Sequence, residues 1–401
     1  MNNSREFFDF ICSHIEDDPA QLLLHPSKLL SPSQLKDAAL QITLRKKFKS
    51  KFPGIVLNPR FLFPDRSVAE QASGEMLAAF VASLIKDSDS VVDLTAGLGI
   101  NTIAFSKVAQ KVVSVELSQE RASVLKYNLE VLGIKNVQVI CADCRDWLES
   151  LDERLDVAYI DPARRDDAGN RSISLHAYSP DVCDLIPTIK NSFNRLLIKV
   201  SPLLDLSLVI KELPEISGFY IIDFHNECKE LLLDLKFTEN TRSVPFVKCV
   251  EIEPNGNVLI EEFCFENSSI APEDLVSSPG EIGVDNIIYL PFPSIRKAKP
   301  ISGLIRRFPE IRLVSPNTML FSSKIKYEDF PGKKLKVIEI LDKKKLGTLK
   351  GASCNVIARN YPMSSEEISR RYRLKPSGNR YIIAVGFSNK SKALFLCEII
   401  S

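Results

Sequence analysis

The sequence predicts an α/β fold: a parallel β-sheet flanked by helices, with a helical N-terminal segment and a smaller α+β C-terminal region. Three observations predict it. From residue 90 onward, near-continuous apolar strands alternate with helical stretches, the pattern of a parallel sheet covered on both faces. The stretch Val91-Val92-Asp93-Leu94-Thr95-Ala96-Gly97-Leu98-Gly99-Ile100-Asn101-Thr102 runs from a strand through a small-residue turn into an amphipathic segment. Asp93, Glu116, Asp143 and Asp161 fall at or just past the carboxyl ends of four successive predicted strands, the edge at which such sheets take ligands.

Taken in order, residues 1 to about 65 begin with helical stretches and contain the densest basic run, Arg45-Lys46-Lys47-Phe48-Lys49-Ser50-Lys51, with Phe48 and Phe52 interleaved. Such a run suits either a phosphate backbone with stacked bases or a solvated helix face. Ser67-Val68-Ala69-Glu70 has the spacing of a capping box, and Leu77, Phe80, Val81 and Leu84 make one apolar stripe. Strands are predicted at 90–94, 111–116, 137–141, 156–160, 195–200 and 219–224. Further strands follow at 228–237 and 246–252, then a hairpin turn at Pro254-Asn255-Gly256-Asn257 leading to Val258–Phe265. Residues 266–284 turn to Asn, Ser, Pro, Glu and Gly, a domain boundary. Beyond it come strands at Ile287–Leu290, Lys334–Ile340 and Tyr381–Gly386 and helices at about 293–307 and 364–372. Arg296, Lys297, Lys299, Arg306, Arg307, Lys343 to Lys345, Arg370, Arg371, Arg373 and Lys375 make this region locally basic.

Lys+Arg number 52 against Asp+Glu 51, a formal charge of +1, so any nucleic-acid surface is local rather than global. No run of eighteen apolar residues and no basic-then-apolar leader appear, and the expectation is a cytoplasmic protein. Nine cysteines spread through predicted strands and helices fit reduced thiols. Cys141, Cys144, His225 and Cys228 have the spacing of a zinc set, but Cys141 ends an apolar strand and reads better as a small buried hydrophobe. No metal is expected.

The loop chemistry narrows the ligand. A dinucleotide fingerprint wants a third glycine where Thr102 stands, and Asp93 ahead of the turn repels phosphate while attracting a cationic group such as an α-ammonium. A nucleoside carrying an amino acid, S-adenosylmethionine, satisfies both features. A nicotinamide-dependent dehydrogenase is disfavoured on the same grounds. Asp93, Thr95, Ala96, Gly97 and Gly99 then form the cofactor loop. Glu116, seventeen residues beyond Gly99, is placed for the ribose hydroxyls, and Asp143 for the adenine amino group. Each acid is equally a candidate helix cap.

These ordered motifs, with Tyr159-Ile160-Asp161-Pro162-Ala163-Arg164-Arg165-Asp166, resemble those of Rossmann-like S-adenosylmethionine-dependent methyltransferases. The Asp-Pro-Ala-Arg-Arg signature, Glu70-Gln71-Ala72-Ser73 and Ala358-Arg359-Asn360-Tyr361-Pro362 are similar to bacterial members that carry a C-terminal THUMP-like domain. The resemblance implies a methyltransferase domain over 66–265, a small α+β, ferredoxin-like segment over 280–332, a THUMP-like domain over 333–401, and an RNA substrate. In amino-methylating relatives the fourth-strand motif ends in an aromatic that stacks on a flipped base. Here no aromatic follows Pro162. Arg164 is the residue placed to stack on a base or clamp a phosphate, unless Arg164 and Arg165 pair with Asp166 and Asp167. Asp161, Pro162 and Arg164 are the candidate catalytic residues, Asp161 as proton acceptor with Lys199 a weaker candidate. Ser201 stands where carbon-methylating enzymes can place a nucleophilic cysteine, so that chemistry is disfavoured. The rival reading is a non-catalytic cofactor- and RNA-binding factor, or a methyltransferase acting on protein or a small molecule.

Overall fold

The computed structural model describes residues 4–25, 27–164, 174–237, 244–266 and 270–400. The chain divides into two compact units, residues 1–218 with 230–243, and residues 219–229 with 244–401.

In the first unit the N-terminal helices α1 (Arg5–Ser13) and α2 (Pro32–Lys47) precede α3 (Arg66–Gln71) and α4 (Glu75–Ala82). Strands and helices then alternate: β1 (Ser90–Asp93), α5 (Ile100–Phe105), β2 (Lys111–Glu116), α6 (Gln119–Val131), β3 (Val137–Cys141), α7 (Cys144–Glu149), β4 (Leu155–Ile160), α8 (Val182–Ser192) and β5 (Phe193–Val200). Next in the chain come β6 (Ile216–Phe224), which passes into the second unit, and β7 (Glu227–Lys236), which returns from it, with His225 and Asn226 between them at positive φ. Within this unit the strand order is β7-β5-β4-β1-β2-β3, parallel throughout except that β7 runs antiparallel to β5. The parallel strands are nearly all-buried runs such as Val112–Glu116 and Val157–Ile160, as the apolar pattern requires.

Residues 1–65 are built into this unit rather than set apart from it. The carboxamide of Asn128 on α6, fully buried, accepts from the Leu62 N–H and donates to the Leu62 carbonyl, both at 2.8 Å. Gln41 on α2 does the same for Phe63, at 3.0 and 2.8 Å. The segment leading into the sheet is thus pinned from two sides, with Phe48, Phe52, Phe61 and Phe63 packed at ring separations of 5.5–6.0 Å.

Two local expectations change. Asp65, not Ser67, caps α3, accepting from the Val68 N–H at 2.8 Å, because Glu70 is taken by Lys47 and Arg66 at 2.5 and 2.8 Å. The single helix predicted at 293–307 is two, α9 (Pro293–Ala298) and α10 (Ile301–Arg307), broken where Lys299 adopts φ 54° ahead of Pro300.

The second unit carries the antiparallel pair β8 (Phe246–Ile252) and β9 (Val258–Cys264). It also carries a seven-stranded sheet, ordered Arg312–Leu313, β11 (Phe321–Ser323), β10 (Ile287–Pro291), β12 (Gly332–Leu341), β15 (Lys392–Ile400), β14 (Arg380–Gly386) and β13 (Asn355–Arg359). Only β13 and β14 pair in parallel, joined through the helix α11 (Ser365–Tyr372). The strands of 280–332 and of 333–400 share this sheet, with β10 antiparallel to β12. Gly332 permits that pairing, since a Cβ there would lie 2.2 Å from the Leu290 carbonyl oxygen. Among the described residues no helix is long and apolar enough to cross a membrane.

Candidate active site

The loop after β1 is shaped by its glycines. Gly97 and Gly99 have φ of 55° and 83°, and a Cβ on Gly99 would stand 2.2 Å from Leu125 Cδ1 of α6. Only glycine lets the loop turn there and pack so close. The loop carries the sheet edge's acids with it. The Gly97 N–H donates to Glu116 Oε2 at 2.8 Å, and the Ser118 N–H to Oε1 at 2.9 Å. The Ala96 N–H donates to the Val115 carbonyl at 3.0 Å. Thr95 Oγ1 accepts from the Asp161 N–H at 2.7 Å and so ties the end of β1 to the end of β4.

Asp93 is 1% exposed. Its carboxylate accepts from the Thr95 N–H at 3.2 Å and from the Thr102 hydroxyl at 2.7 Å, and Thr102 is in turn 2.7 Å from Ser114 Oγ. Burial pushes its proton affinity up to about 7 against these hydrogen bonds, and no ion pair reaches it among the described residues. A buried carboxylate in that condition is a site for a cation. Thr102, which breaks the dinucleotide pattern, thus serves the acid directly.

Asp143 caps α7, accepting from the Arg145 N–H at 2.8 Å, and the structure gives it no bond to the other three acids. Pro162 is buried, while Ala163 and Arg164 are exposed on a two-residue strand paired with Tyr178–Ser179. The ion pairs considered for Arg165, Asp166 and Asp167 lie outside the described residues.

Asp161 is more elaborately held than the sequence suggests. Lys199 of β5 donates to Asp161 Oδ2 at 2.6 Å and stands 3.6 Å from Glu230 Oε1, with side-chain exposures of 13%, 28% and 6% for Lys199, Asp161 and Glu230. Burial raises the Asp161 carboxyl above its ordinary value and Lys199 opposes that rise. Burial alone would lower Lys199, but Glu230 and Asp161 outweigh it and hold the lysine above its usual range. Lys199 is therefore a fixed cation and not a proton acceptor at neutral pH. Glu230, Ser73 and Lys51 complete the array; the sequence pointed to Lys51 only as part of the basic run and to Ser73 only within the Glu70–Ser73 motif, and it did not single out Glu230. Ser73 Oγ donates to Glu230 Oε1 at 2.7 Å, and Lys51 Nζ donates to the carbonyls of Ala69 and Glu70 at 3.1 and 2.7 Å. The one signal available was the apolar run Leu231-Leu232-Leu233, which marks this part of the strand as buried and puts the charge of Glu230 at its edge.

The basic run is mostly structural. Arg45 is 4% exposed and donates to four backbone carbonyls, Val56, Asn58 and Pro59 at 3.1 Å and Phe61 at 2.5 Å. Phe48 and Phe52 are buried and so unavailable to stack on bases. Lys47 pairs with Glu70, and Lys46 donates to the Asp17 carbonyl at 2.6 Å. In the second unit, Arg370, Arg371, Arg373 and Lys375 are exposed around the C-terminal end of α11, and no ion pair involves them among the described residues. Arg306 and Arg307 pair with Glu266 and Glu261, while Arg296 is lowered by burial. His225 is a turn residue, and the zinc set considered from it does not assemble among the described residues. The one group with ligand atoms close together there is His176, Asp181 and Cys183. Asp181 in that group caps α8 and accepts from His176.

Comparison with known proteins sets this geometry in context. Residues 88–162 match the family model described as RNA cap guanine-N2 methyltransferase, and residues 332–398 match THUMP domain-like. A candidate methyltransferase from Porphyromonas gingivalis W83, known by its crystal structure, superposes with a TM-score of 0.87 at 24% identity, over 98% of both chains. An uncharacterized RNA methyltransferase of Thermosynechococcus vestitus is 29% identical over 77 residues, 19% of this chain and 17% of its own length. The ribosomal RNA small subunit methyltransferase J of Thioalkalivibrio sulfidiphilus is 37% identical over 90 residues, 20% of this chain and 35% of its own length. The chain thus matches about a third or less of these curated relatives. Its fold is the Rossmann-like methyltransferase fold, with a THUMP-like domain at the C-terminal end.

Proposed function

We propose that the chain is an S-adenosylmethionine-dependent methyltransferase acting on RNA. The observation that carries this reading is Asp93, a buried carboxylate without a cationic partner, set beside a glycine loop whose backbone is tied to Glu116. That donor set fits the cofactor. Asp93 takes the α-ammonium, the backbone of Thr95, Ala96, Gly97 and Gly99 borders the amino-acid portion, and Glu116 takes the ribose hydroxyls with the lone pairs its two backbone bonds leave free. Asp143 accepts from the adenine amino group beside its capping bond. When bound, the cofactor supplies a methyl group on a sulfonium, and the acid-lined edge favours that cation as well.

Asp161 and Pro162 frame the acceptor side, with Arg164 exposed next to them for a phosphate or base. RNA is supported by the family-model matches over 88–162 and 332–398, by the names of the partial relatives, and by the unpaired basic end of α11. Of the N-terminal basic run, Lys49, which is exposed, is left to meet a phosphate backbone. The test is transfer of tritiated methyl from the cofactor to an extract of cells lacking the gene. Label removed by ribonuclease is the expected result, and label removed by protease moves the acceptor to protein.

A further inference from the structure

Four charged side chains from four separate segments face one another beside the fourth-strand loop. Lys51 lies in the turn after α2, Asp161 just past β4, Lys199 near the end of β5, and Glu230 within β7. The two lysines and the two acids alternate in role. Lys199 bridges Asp161 and Glu230 at 2.6 and 3.6 Å. Glu230 is 4% exposed, accepts from Ser73 through Oε1, and keeps a buried Oε2 with no partner among the described residues. Lys51 Nζ has two of its three positions directed at the Ala69 and Glu70 carbonyls. A neutral amine has two hydrogens for those two carbonyls and one lone pair for the third position.

A base set beside a fixed cation discriminates between acceptor atoms. A nitrogen attacks a sulfonium methyl with its own lone pair and becomes positive, so it needs no base beforehand and gains nothing from the Lys199 cation beside it. A hydroxyl that attacks must first give up a proton and gather negative charge, and cations held in place stabilise that change. Two acids serve such a site by fixing the cation, which would otherwise not stay buried.

Resting on the methyltransferase reading above, we propose that the methyl acceptor is a hydroxyl, the ribose 2′-hydroxyl of an RNA nucleotide. Lys51 takes its proton, and Lys199, held by Asp161 and Glu230, supplies the offsetting positive charge. The internal nucleotides of RNA carry one free sugar hydroxyl, which is why the 2′ position is named. In the step, the O–H proton passes to the free-base amine of Lys51 as an oxygen lone pair forms the new O–C bond. The S–C bond breaks, its electron pair returns to sulfur, and Lys51 gives the proton to solvent. Nothing is oxidised or reduced.

The groups that face Lys51 are Lys199, Glu230, Glu70 and Asp161, with the rings of Phe48 and Phe52 at 5.5 and 5.2 Å. Burial first, and then the charge of Lys199, lowers Lys51 to about 8 against the pull of the acids, so the free base is populated near neutral pH.

The experiment labels total RNA from a bacterium lacking the gene with tritiated-methyl cofactor and the full chain, then digests the RNA with alkali. A methyl on the 2′-oxygen blocks cleavage of the next phosphodiester, so the expected label lies in alkali-stable dinucleotides. Label in mononucleotides places the methyl on a base and overturns the proposal while leaving an RNA methyltransferase. RNA without label, from protein that binds the cofactor, overturns the wider reading as well. As a second readout, Lys51→Arg keeps the charge but cannot act as a base, and it should lower kcat at least ~100-fold with cofactor affinity unchanged. Lys199→Met should cost about as much, and Lys199→Arg should recover part of the loss. Wild-type kcat should rise about 25-fold between pH 6.5 and pH 8.5 with a midpoint near 8. A Lys51→Arg variant that folds and keeps full activity overturns the role of Lys51.

Discussion

Replacement of Asp93 offers the sharpest test of the cofactor site, because burial makes its consequences depend on pH. In the absence of ligand the carboxyl is raised from its ordinary 3.8 to about 7. At about 1.4 kcal/mol per unit, that difference amounts to about 4 kcal/mol. The folded carboxyl holds its proton more tightly than the unfolded one, so the cost is absent below about pH 4, grows as pH rises, and is complete above about pH 7. Asp93→Asn removes the titration. Between about pH 4 and pH 7 its stability by urea unfolding should therefore fall by ~4 kcal/mol less than that of the wild type, the other shifted carboxyls contributing equally to both.

Cofactor binding should show the opposite trend, since the α-ammonium needs the ionised acid. With half-ionisation near pH 7, about a tenth of Asp93 is charged at pH 6 and about nine tenths at pH 8. Calorimetric titration with S-adenosylhomocysteine, whose ammonium stays charged over this range, should show roughly tenfold weaker binding at pH 6 than at pH 8. Asp93→Ala should bind too weakly to measure. A wild-type affinity that ignores pH, or an Asp93→Ala variant that binds unchanged, would refute the assignment of Asp93 to the ammonium.

Three further outcomes are expected. Gly99→Ala combines positive φ with a 2.2 Å approach to Leu125 and should cost ~2 kcal/mol or more in thermal unfolding, with cofactor affinity falling alongside. Arg45→Ala takes the guanidinium from four backbone carbonyls, of which that of Asn58 keeps the Phe61 N–H at 3.2 Å, and should cost ~3–5 kcal/mol in urea unfolding, with Arg45→Lys failing to restore it because an ammonium cannot reach all four. A stability loss below ~1 kcal/mol would show the buried guanidinium to be dispensable. Reversing Arg370 and Arg371 to Glu should weaken RNA binding, and shrink the slope of log affinity against log salt by about 2, without altering S-adenosylhomocysteine affinity. An unchanged salt slope in fluorescence anisotropy would remove α11 from the RNA surface.

The sequence by itself determined the central architecture and the ligand edge. Apolar strands such as Val112–Val115, joined by helices, have no stable arrangement except a covered parallel sheet, and the spacing of Gly97 and Gly99 after Asp93 places a bare-backbone turn at its edge. These are local signals, carried by period and by residues with unusual backbone freedom. What only the tertiary structure decided is which polar groups meet. Lys51, Ser73, Asp161, Lys199 and Glu230 span some 180 positions of chain, and nothing in the neighbourhood of any one of them specifies the others. The same limit misread the basic run, where Arg45 is committed to backbone carbonyls that fold back from residues 56–61. It also hid the clasp by which Asn128 and Gln41 draw the N-terminal helices into the sheet unit. Burial decides whether a charge is a surface feature, a structural strut or a chemical group, and burial is a property of the folded chain.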